Sequence, residues 1–317
     1  IDIHHQYIRF MVRFEPHNMP LFWKIQSYFI GLYQYNFQKF VWYFNTIFYV
    51  VFNFKNPFYS IKKIKNHIYP YQLIKKNQTI LEINEKKDLS IVLKKLDNIV
   101  HFEDNLMIIN FNKKQLKFKY YDNIELDIFY QNIYSKLSVK NKIVIDIGGY
   151  VGDSALLYRA LGSKKIIMLE PHPKFFEFAL ENIALNDESS NIEVVNAGLS
   201  NIRGNFKISY KNSGDPLYLS ENQQNDMEIP QITLEDILSK YTDCNFVLKM
   251  DCEGCEYDVL LNSSEETLKK FDTILVEFHS GFLNICEKLK FLGFNIKILN
   301  CKYTPKKKHR GHLIAFR

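Results

Sequence analysis

Lys142-Ile-Val-Ile-Asp-Ile-Gly-Gly-Tyr-Val-Gly-Asp-Ser154, followed by Ile166-Ile-Met-Leu-Glu-Pro171, decides the fold. One apolar run ends in Asp146, glycines follow, and a second apolar run ends in Glu170. Short apolar runs flanking a helix-length stretch read as parallel strands of an α/β sheet. Ligands of such sheets lie just beyond the carboxyl ends of the strands, so both carboxylates are expected at one crevice. Gly148, Gly149 and Gly152 allow a tight turn and close approach to a ligand. The amides opening the next helix, near Ser154, face that ligand.

Spacing bears on which ligand this is. A dinucleotide fingerprint needs G-x-G-x-x-G, but counting from Gly148 its second and third glycine positions hold Tyr150 and Asp153. A pyrophosphate there would meet a side chain and a negative charge. Asp146-x-Gly148-x-x-x-Gly152, with Glu170 at the next strand end, suits a ligand with an amino-acid tail and a ribose, such as S-adenosylmethionine. Glu170 is expected to accept from both ribose hydroxyls, each charge-assisted bond contributing roughly 1.5–3 kcal/mol in gross terms.

Further apolar runs at 192 to 196, 246 to 250 and 273 to 278 continue the strand series begun at 143 to 147 and 166 to 170. Helical stretches such as Lys174 to Leu185 alternate with them. Phe294 to Asn300 and His312 to Arg317 read as a closing hairpin.

With these blocks the chain resembles the FkbM-type family of S-adenosylmethionine-dependent methyltransferases over about residues 140 to 317. Asn182-Ile-Ala-Leu-Asn186, Val195-Asn-Ala-Gly-Leu-Ser200 and Thr233-Leu-Glu-Asp236 match as well. The most specific block is Phe246-Val-Leu-Lys-Met-Asp-Cys-Glu-Gly-Cys-Glu256, similar to the family's K-x-D-x-E-G-x-E signature, followed by Leu275-Val-Glu-Phe-His279. The resemblance implies an α/β class I methyltransferase fold, a Rossmann-like seven-stranded sheet whose last strand is antiparallel. It places Asp146, Gly148, Gly149, Gly152, Ser154, Glu170, Pro171, Asn196 and Ala197 against the cofactor. Gly149-Tyr150 departs from the family's common Ala-Asn, and Cys252 and Cys255 replace Val and Ala.

Methyl transfer is an in-line attack on an activated sulfonium, so the protein mainly aligns the reactants, which alone supplies roughly 7–11 kcal/mol. Lys249, Asp251, Glu253 and Glu256 fall where the fourth strand ends; Glu277 and His279, two apart on the next strand, point to one side. Asp251 or His279 is expected to accept the hydroxyl proton, Glu253 to orient the substrate and Lys249 to pair with a nearby carboxylate. The alternatives are a structural ion pair for Lys249 and Glu256, and a hydrogen-bonded core histidine for His279. A divalent cation on Asp251, Glu253 and Glu277 is the weaker reading, and no metal is expected.

Composition separates the attachments from this core. Residues 1 to 140 carry 20 Lys and Arg against 11 Asp and Glu, residues 141 to 301 carry 15 against 24, and Lys302 to Arg317 adds six basic residues and no acidic one. Basic attachments favour an anionic partner: lipid headgroups, a phosphorylated glycan carrier or RNA. Five cysteines make no disulfide framework, and Cys252-x-x-Cys255 without a second pair reads as small residues packed beside a strand end in a reducing, cytoplasmic setting. No cleavable signal peptide is recognisable.

Residues 1–65 read as an aromatic-rich helical segment, 66–137 as a β-rich accessory cap and 138–317 as the methyltransferase domain. From Leu21 to Phe54, Ser27, Gln34, Gln38 and Asn45 form a thin polar stripe on an otherwise apolar helix surface. The apolar stretch Phe40 to Phe54 is short of the roughly 20 residues a membrane span needs. Residues 21–65 are read as core or homo-oligomer interface, with peripheral membrane contact, aided by Lys62, Lys63 and Lys65, as the alternative. Thr79 to Ile83, Leu106 to Phe111 and Leu116 to Tyr121 read as the cap's strands, and Ser213-Gly214-Asp215 as a turn near the substrate. The expected activity is O-methylation of a hydroxyl, on a sugar of a glycan or glycolipid. An RNA methyltransferase and a non-catalytic S-adenosylmethionine-binding protein are the alternatives.

Overall fold

The computed structural model describes residues 47, 50–52, 54–66, 71–74, 76, 80–83, 99–104, 106–121, 124, 127–130, 133–209, 226–241, 245–303 and 309–317. The helix expected from Leu21 onward lies mostly outside the described residues, as do the Ser213-Gly214-Asp215 turn and Lys306 to Lys308. Two compact units divide the chain, one of residues 20–103 and one of residues 104–317 together with 1–19.

The first unit contains α1 (Pro57–Asn66), β1 (Tyr71–Ile74), β2 (Ile80–Ile83) and β3 (Val100–Glu103). Proline opens α1, where its missing N–H has no partner to lose. Asn56 ties the helix start to β1: its Oδ1 accepts from the Ile74 amide and its Nδ2 donates to the Gln72 carbonyl, both at 3.4 Å. β1 and β2 pair antiparallel with Leu73 opposite Leu81. Among the described residues no helix is long and apolar enough to cross a membrane.

The second unit opens with β4 (Leu106–Phe111) and β5 (Lys114–Phe118), an antiparallel hairpin. Asn112 and Lys113 join the strands at φ 48° and 63°. A two-residue loop with both φ values positive matches the twist of the flanking strands. After α2 (Asp127–Tyr130) come β6 (Ile143–Ile147), α3 (Asp153–Ala160), β7 (Lys165–Leu169), α4 (Pro173–Ala184) and β8 (Ile192–Val195). A small sheet of β9 (Gly198–Leu199), β10 (Gly204–Ser209) and β11 (Asp226–Ile232) follows, in the order β10-β11-β9. The chain then runs through α5 (Leu234–Leu238), β12 (Phe246–Met250), α6 (Cys255–Asn262), α7 (Glu265–Leu268), β13 (Phe271–Phe278), α8 (Leu283–Phe291), β14 (Asn295–Tyr303) and β15 (His309–Phe316).

The main sheet has the strand order β14-β15-β13-β12-β6-β7-β8. β6, β7, β8, β12 and β13 are parallel to their neighbours in that series, and β15 runs antiparallel to both β13 and β14. This is the α/β class I arrangement, a seven-stranded Rossmann-like sheet closed by an antiparallel last strand. Every residue of β6 and β12 is buried. Strands covered on both faces lose period-two alternation, which is why they read as continuous apolar runs. Chain order reverses at β6, between β7 on one side and β12 on the other, so a crevice forms beyond the ends of these strands.

The β4–β5 hairpin is held to α4 by two asparagines. Asn182, fully buried, accepts from the Lys119 and Tyr120 amides (2.9 and 3.1 Å) and donates to the Tyr120 and Val151 carbonyls (2.8 and 3.0 Å). Asn186, one turn on, exchanges bonds with both the amide and the carbonyl of Lys117 (2.9 and 2.7 Å). Asn182→Ala strands up to four backbone groups, each left unsatisfied at about 1–3 kcal/mol. The urea midpoint should fall by the equivalent of several kcal/mol for Asn182→Ala and less for the more exposed Asn186→Ala.

Candidate active site

The cofactor half forms where β6 and β7 end. Gly148 and Gly152 take φ of 73° and 86°, and Tyr150 takes 49°. A Cβ on Gly148 would stand 1.9 Å from the Asp251 carbonyl oxygen, and one on Gly149 would stand 2.3 Å from the Met168 side chain. Gly148 is therefore required by the neighbouring backbone before any ligand is considered, while Gly149 leaves room for the Met168 side chain. Glu170, 4% exposed, accepts from the Tyr150 amide on Oε2 and the His172 amide on Oε1, each at 2.9 Å. Burial lifts its carboxyl to about 7 against the pull of those amides. Asn196 donates to the carbonyls of Glu170 and Pro171 (2.9 and 3.0 Å), fixing the chain as it leaves β7; Ala197 is buried beside it. The rings of Tyr150 and His172 both lie against Phe175, with centroids 4.5 and 4.4 Å away.

Asp146 has a different setting from the expected one. Rather than opening to a crevice it is fully buried, with Ser154 Oγ donating to its Oδ2 at 2.6 Å and Lys249 Nζ 3.0 Å from its Oδ1. Lys249, 2% exposed, also donates to the carbonyls of Ile147 and Gly148 (3.3 and 2.8 Å). Lys249 thus pairs with a carboxylate and bonds the backbone of the glycine turn. Burial works against its charge, but Asp146 and Asp251 outweigh it and raise its pKa.

The second half lies beyond β12 and β13. Tyr134 Oη donates to Asp251 Oδ2 at 3.0 Å. Burial raises the Asp251 carboxyl to about 7; Lys249 opposes this and Glu277 adds to it. Glu277 goes the other way: burial would raise it, but His312 and Arg310 hold it well below the ordinary carboxylate range. Arg310 Nε donates to Glu277 at 2.8 Å and its Nη2 to Glu253 at 3.2 Å. Two neighbouring carboxyls with separated pKa values are the usual mark of divided roles in proton transfer.

His279 is 4% exposed, with Nδ1 2.9 Å from buried Glu256 and Nε2 3.3 Å from Glu253. Burial disfavours its charge, yet Glu253 and Glu256 raise its pKa to about 10. Held as a cation, the His279 ring would have no site for a hydroxyl proton. Glu253, in the left-handed region at φ 55°, presents an exposed carboxylate between His279 and Arg310. Ligand atoms of Asp251, Glu277 and His279 lie within 4.8 Å of one another, a spacing that a cation could bridge. Arg310 already supplies positive charge to Glu277 there.

Cys252 and Cys255 are joined in a disulfide, which corrects their reading as separate small packing residues. The pair closes the turn from β12 into α6, carrying Glu253 and Gly254 within it.

Residues 146–296 match the family model for the methyltransferase FkbM domain. Over this segment the chain resembles an FkbM methyltransferase domain. Methyltransferase sdnD of Sordaria araneosa is 24% identical, over 48% of this chain and 72% of that protein. Among solved structures, methyltransferase FkbM of Methylobacillus flagellatus KT aligns with TM-score 0.38 and 16% identity, over 60% of this chain and 50% of that one. TrmK of M. capricolum, in complex with S-adenosyl-homocysteine, aligns with TM-score 0.37 and 14% identity, over 59% of this chain and 67% of that one.

The match to the FkbM family points to S-adenosylmethionine as methyl donor, and the residues present fit it. Glu170 offers a buried carboxylate whose oxygens keep lone pairs for ribose hydroxyls, and the glycine turn lies beside it. Asp251, Glu253, Glu277 and His279 all fall inside the matched segment. Tyr134, Arg310 and His312 fall outside it, yet they touch Asp251 and Glu277 directly. Sequence reasoning missed these three. Arg310 was read only as part of a basic tail, and nothing in the spacing of Tyr134 from Asp251 announces their contact.

Proposed function

We propose that this domain transfers a methyl group from S-adenosylmethionine to a hydroxyl oxygen of a polar, sugar-like acceptor, with Asp251 as general base. The observation that carries the reading is Asp251 itself: a carboxyl lifted to about 7, held on one oxygen by Tyr134, beside a Glu277 kept ionised. A base with a pKa near the working pH combines availability with driving force. When bound, S-adenosylmethionine supplies a methyl on a positively charged sulfur. Asp251 takes the hydroxyl proton as the oxygen bonds to the methyl carbon and that carbon's bond to sulfur breaks, the sulfur keeping the electron pair; Glu253, exposed and flanked by two cations, orients the acceptor through its hydroxyls. Lys249 fixes the strand end between the two halves.

The mixed-charge lip of Glu253 and Arg310 favours a neutral polyhydroxyl acceptor of the glycan or glycolipid kind. It argues against RNA as acceptor, because Arg310 is engaged by Glu277 and Glu253 rather than offered to phosphate. Donor binding is tested by calorimetry with Glu170→Gln. Losing one charge-assisted bond of roughly 1.5–3 kcal/mol corresponds to about 10- to 100-fold weaker S-adenosylmethionine binding. Unchanged affinity would remove Glu170 from the ribose role. A panel of hydroxylated glycosides and RNA oligonucleotides then tests the acceptor class, and methylation of RNA alone overturns the sugar reading.

A further inference from the structure

We propose that the exposed face of α1 docks on an anionic lipid surface. Phe58 is 85% exposed and Tyr59 50% exposed, both in the first turn. Lys62, Lys65 and Asn66 are exposed as well, while Ser60 is fully buried. Phe58, Lys62 and Lys65 are spaced four and three residues apart, which places them on one side of the helix. Tyr59 and Asn66 flank that line, and Lys63 lies over the Tyr59 ring at 5.5 Å. The outward face therefore carries bare aromatic surface at one end and ammonium groups at the other.

The sequence that contains this helix carries charge of one sign: from residue 16 to residue 81 there are eight lysines and not one Asp or Glu. A solvated protein face ordinarily mixes both signs, and a helix that meets only water gains nothing by exposing Phe58. A bilayer interface satisfies both features. Aromatic rings settle at the headgroup level, and lysine stems lie along the apolar boundary while their ammonium groups reach lipid phosphates. At 10 residues α1 cannot span a bilayer, so it lies along the surface. An acceptor carried on a membrane lipid would be met at that surface, but the docking does not depend on what the acceptor is.

The test uses the full chain and sedimentation with phosphatidylcholine vesicles made with and without phosphatidylserine. Binding is expected only to the anionic vesicles, falling with salt. Each lysine near such a surface contributes enough that Lys62→Glu with Lys65→Glu should weaken binding at least about tenfold. Lys62→Arg with Lys65→Arg should restore it, and Phe58→Ala with Tyr59→Ala should weaken it at any salt. All of these side chains are exposed or half-buried, and unaltered thermal unfolding of the variants shows that folding is intact. Phe58→Trp should show blue-shifted emission on anionic vesicles. Equal binding to neutral vesicles, indifference to both double substitutions, or displacement from vesicles by a single-stranded RNA oligonucleotide that binds the same residues would each overturn the proposal.

Discussion

Asp251→Asn lowers kcat by about 10²- to 10⁴-fold, the range a positioned general base contributes, while leaving S-adenosylmethionine affinity within a few-fold. The base must be ionised to work, and burial has raised its pKa to about 7. Activity of the parent should therefore climb with pH and level off above about 7. The neighbouring charge sets the position of that limb. Glu277, ionised by Arg310 and His312, repels a second negative charge and so helps keep Asp251 protonated. Glu277→Gln removes that repulsion, and the limb should move to lower pH. Tyr134→Phe removes a hydrogen bond that favours the ionised form, and the limb should move to higher pH. A purely structural role for these side chains would lower the rate without moving the profile in opposite directions. Measuring kcat against pH for the three variants separates the cases, and a profile unmoved by either Glu277→Gln or Tyr134→Phe would dismiss Asp251 as the titrating base.

What could be read in the sequence was whatever is local in the chain. The strands at 143–147 and 246–250 lie where the apolar runs place them, because both are covered on two faces and each of their residues is buried. The closing hairpin was legible from its apolar runs although β14 is partly exposed, with observed strands at Asn295–Tyr303 and His309–Phe316. Glu170 was readable because the strand that presents it and the glycine turn beside it are close in sequence. The β9-β10-β11 sheet was missed, as its pairing joins Gly198 to Gln231, far apart in the sequence. The Arg310–Glu277 and Tyr134–Asp251 contacts were hidden for a stronger reason: they join residues 33 and 117 positions apart. Only the sheet order brings them together. The His279 charge was equally hidden, since its protonation depends on Glu256 and Glu253, which the sequence places nearby without fixing their direction.

Lys249→Met should damage both stability and cofactor binding. On adjacent parallel strands Lys249 stands opposite Asp146 in register, and both are within 2% of complete burial. An ion pair removed from water is not a large net gain, because desolvation cancels much of the attraction. Breaking it from one side is another matter, leaving a buried charge uncompensated at about 3–5 kcal/mol. Lys249 also holds the Ile147 and Gly148 carbonyls, so the same change frees the end of β6 and the turn that follows. The unfolding free energy should fall by that amount, and S-adenosylmethionine affinity should fall with it. Asp146→Asn combined with Lys249→Met removes both charges and should recover a large part of the stability, since contacting pairs are non-additive by up to about 3 kcal/mol. The recovery should not extend to cofactor binding, because methionine cannot donate to the Gly148 carbonyl. Denaturant titrations and calorimetry on the parent, both single variants and the double variant give the two answers separately. Additive losses in stability would mean that the two side chains do not act as a pair. Full recovery of affinity in the double variant would mean that Lys249 does not position the turn.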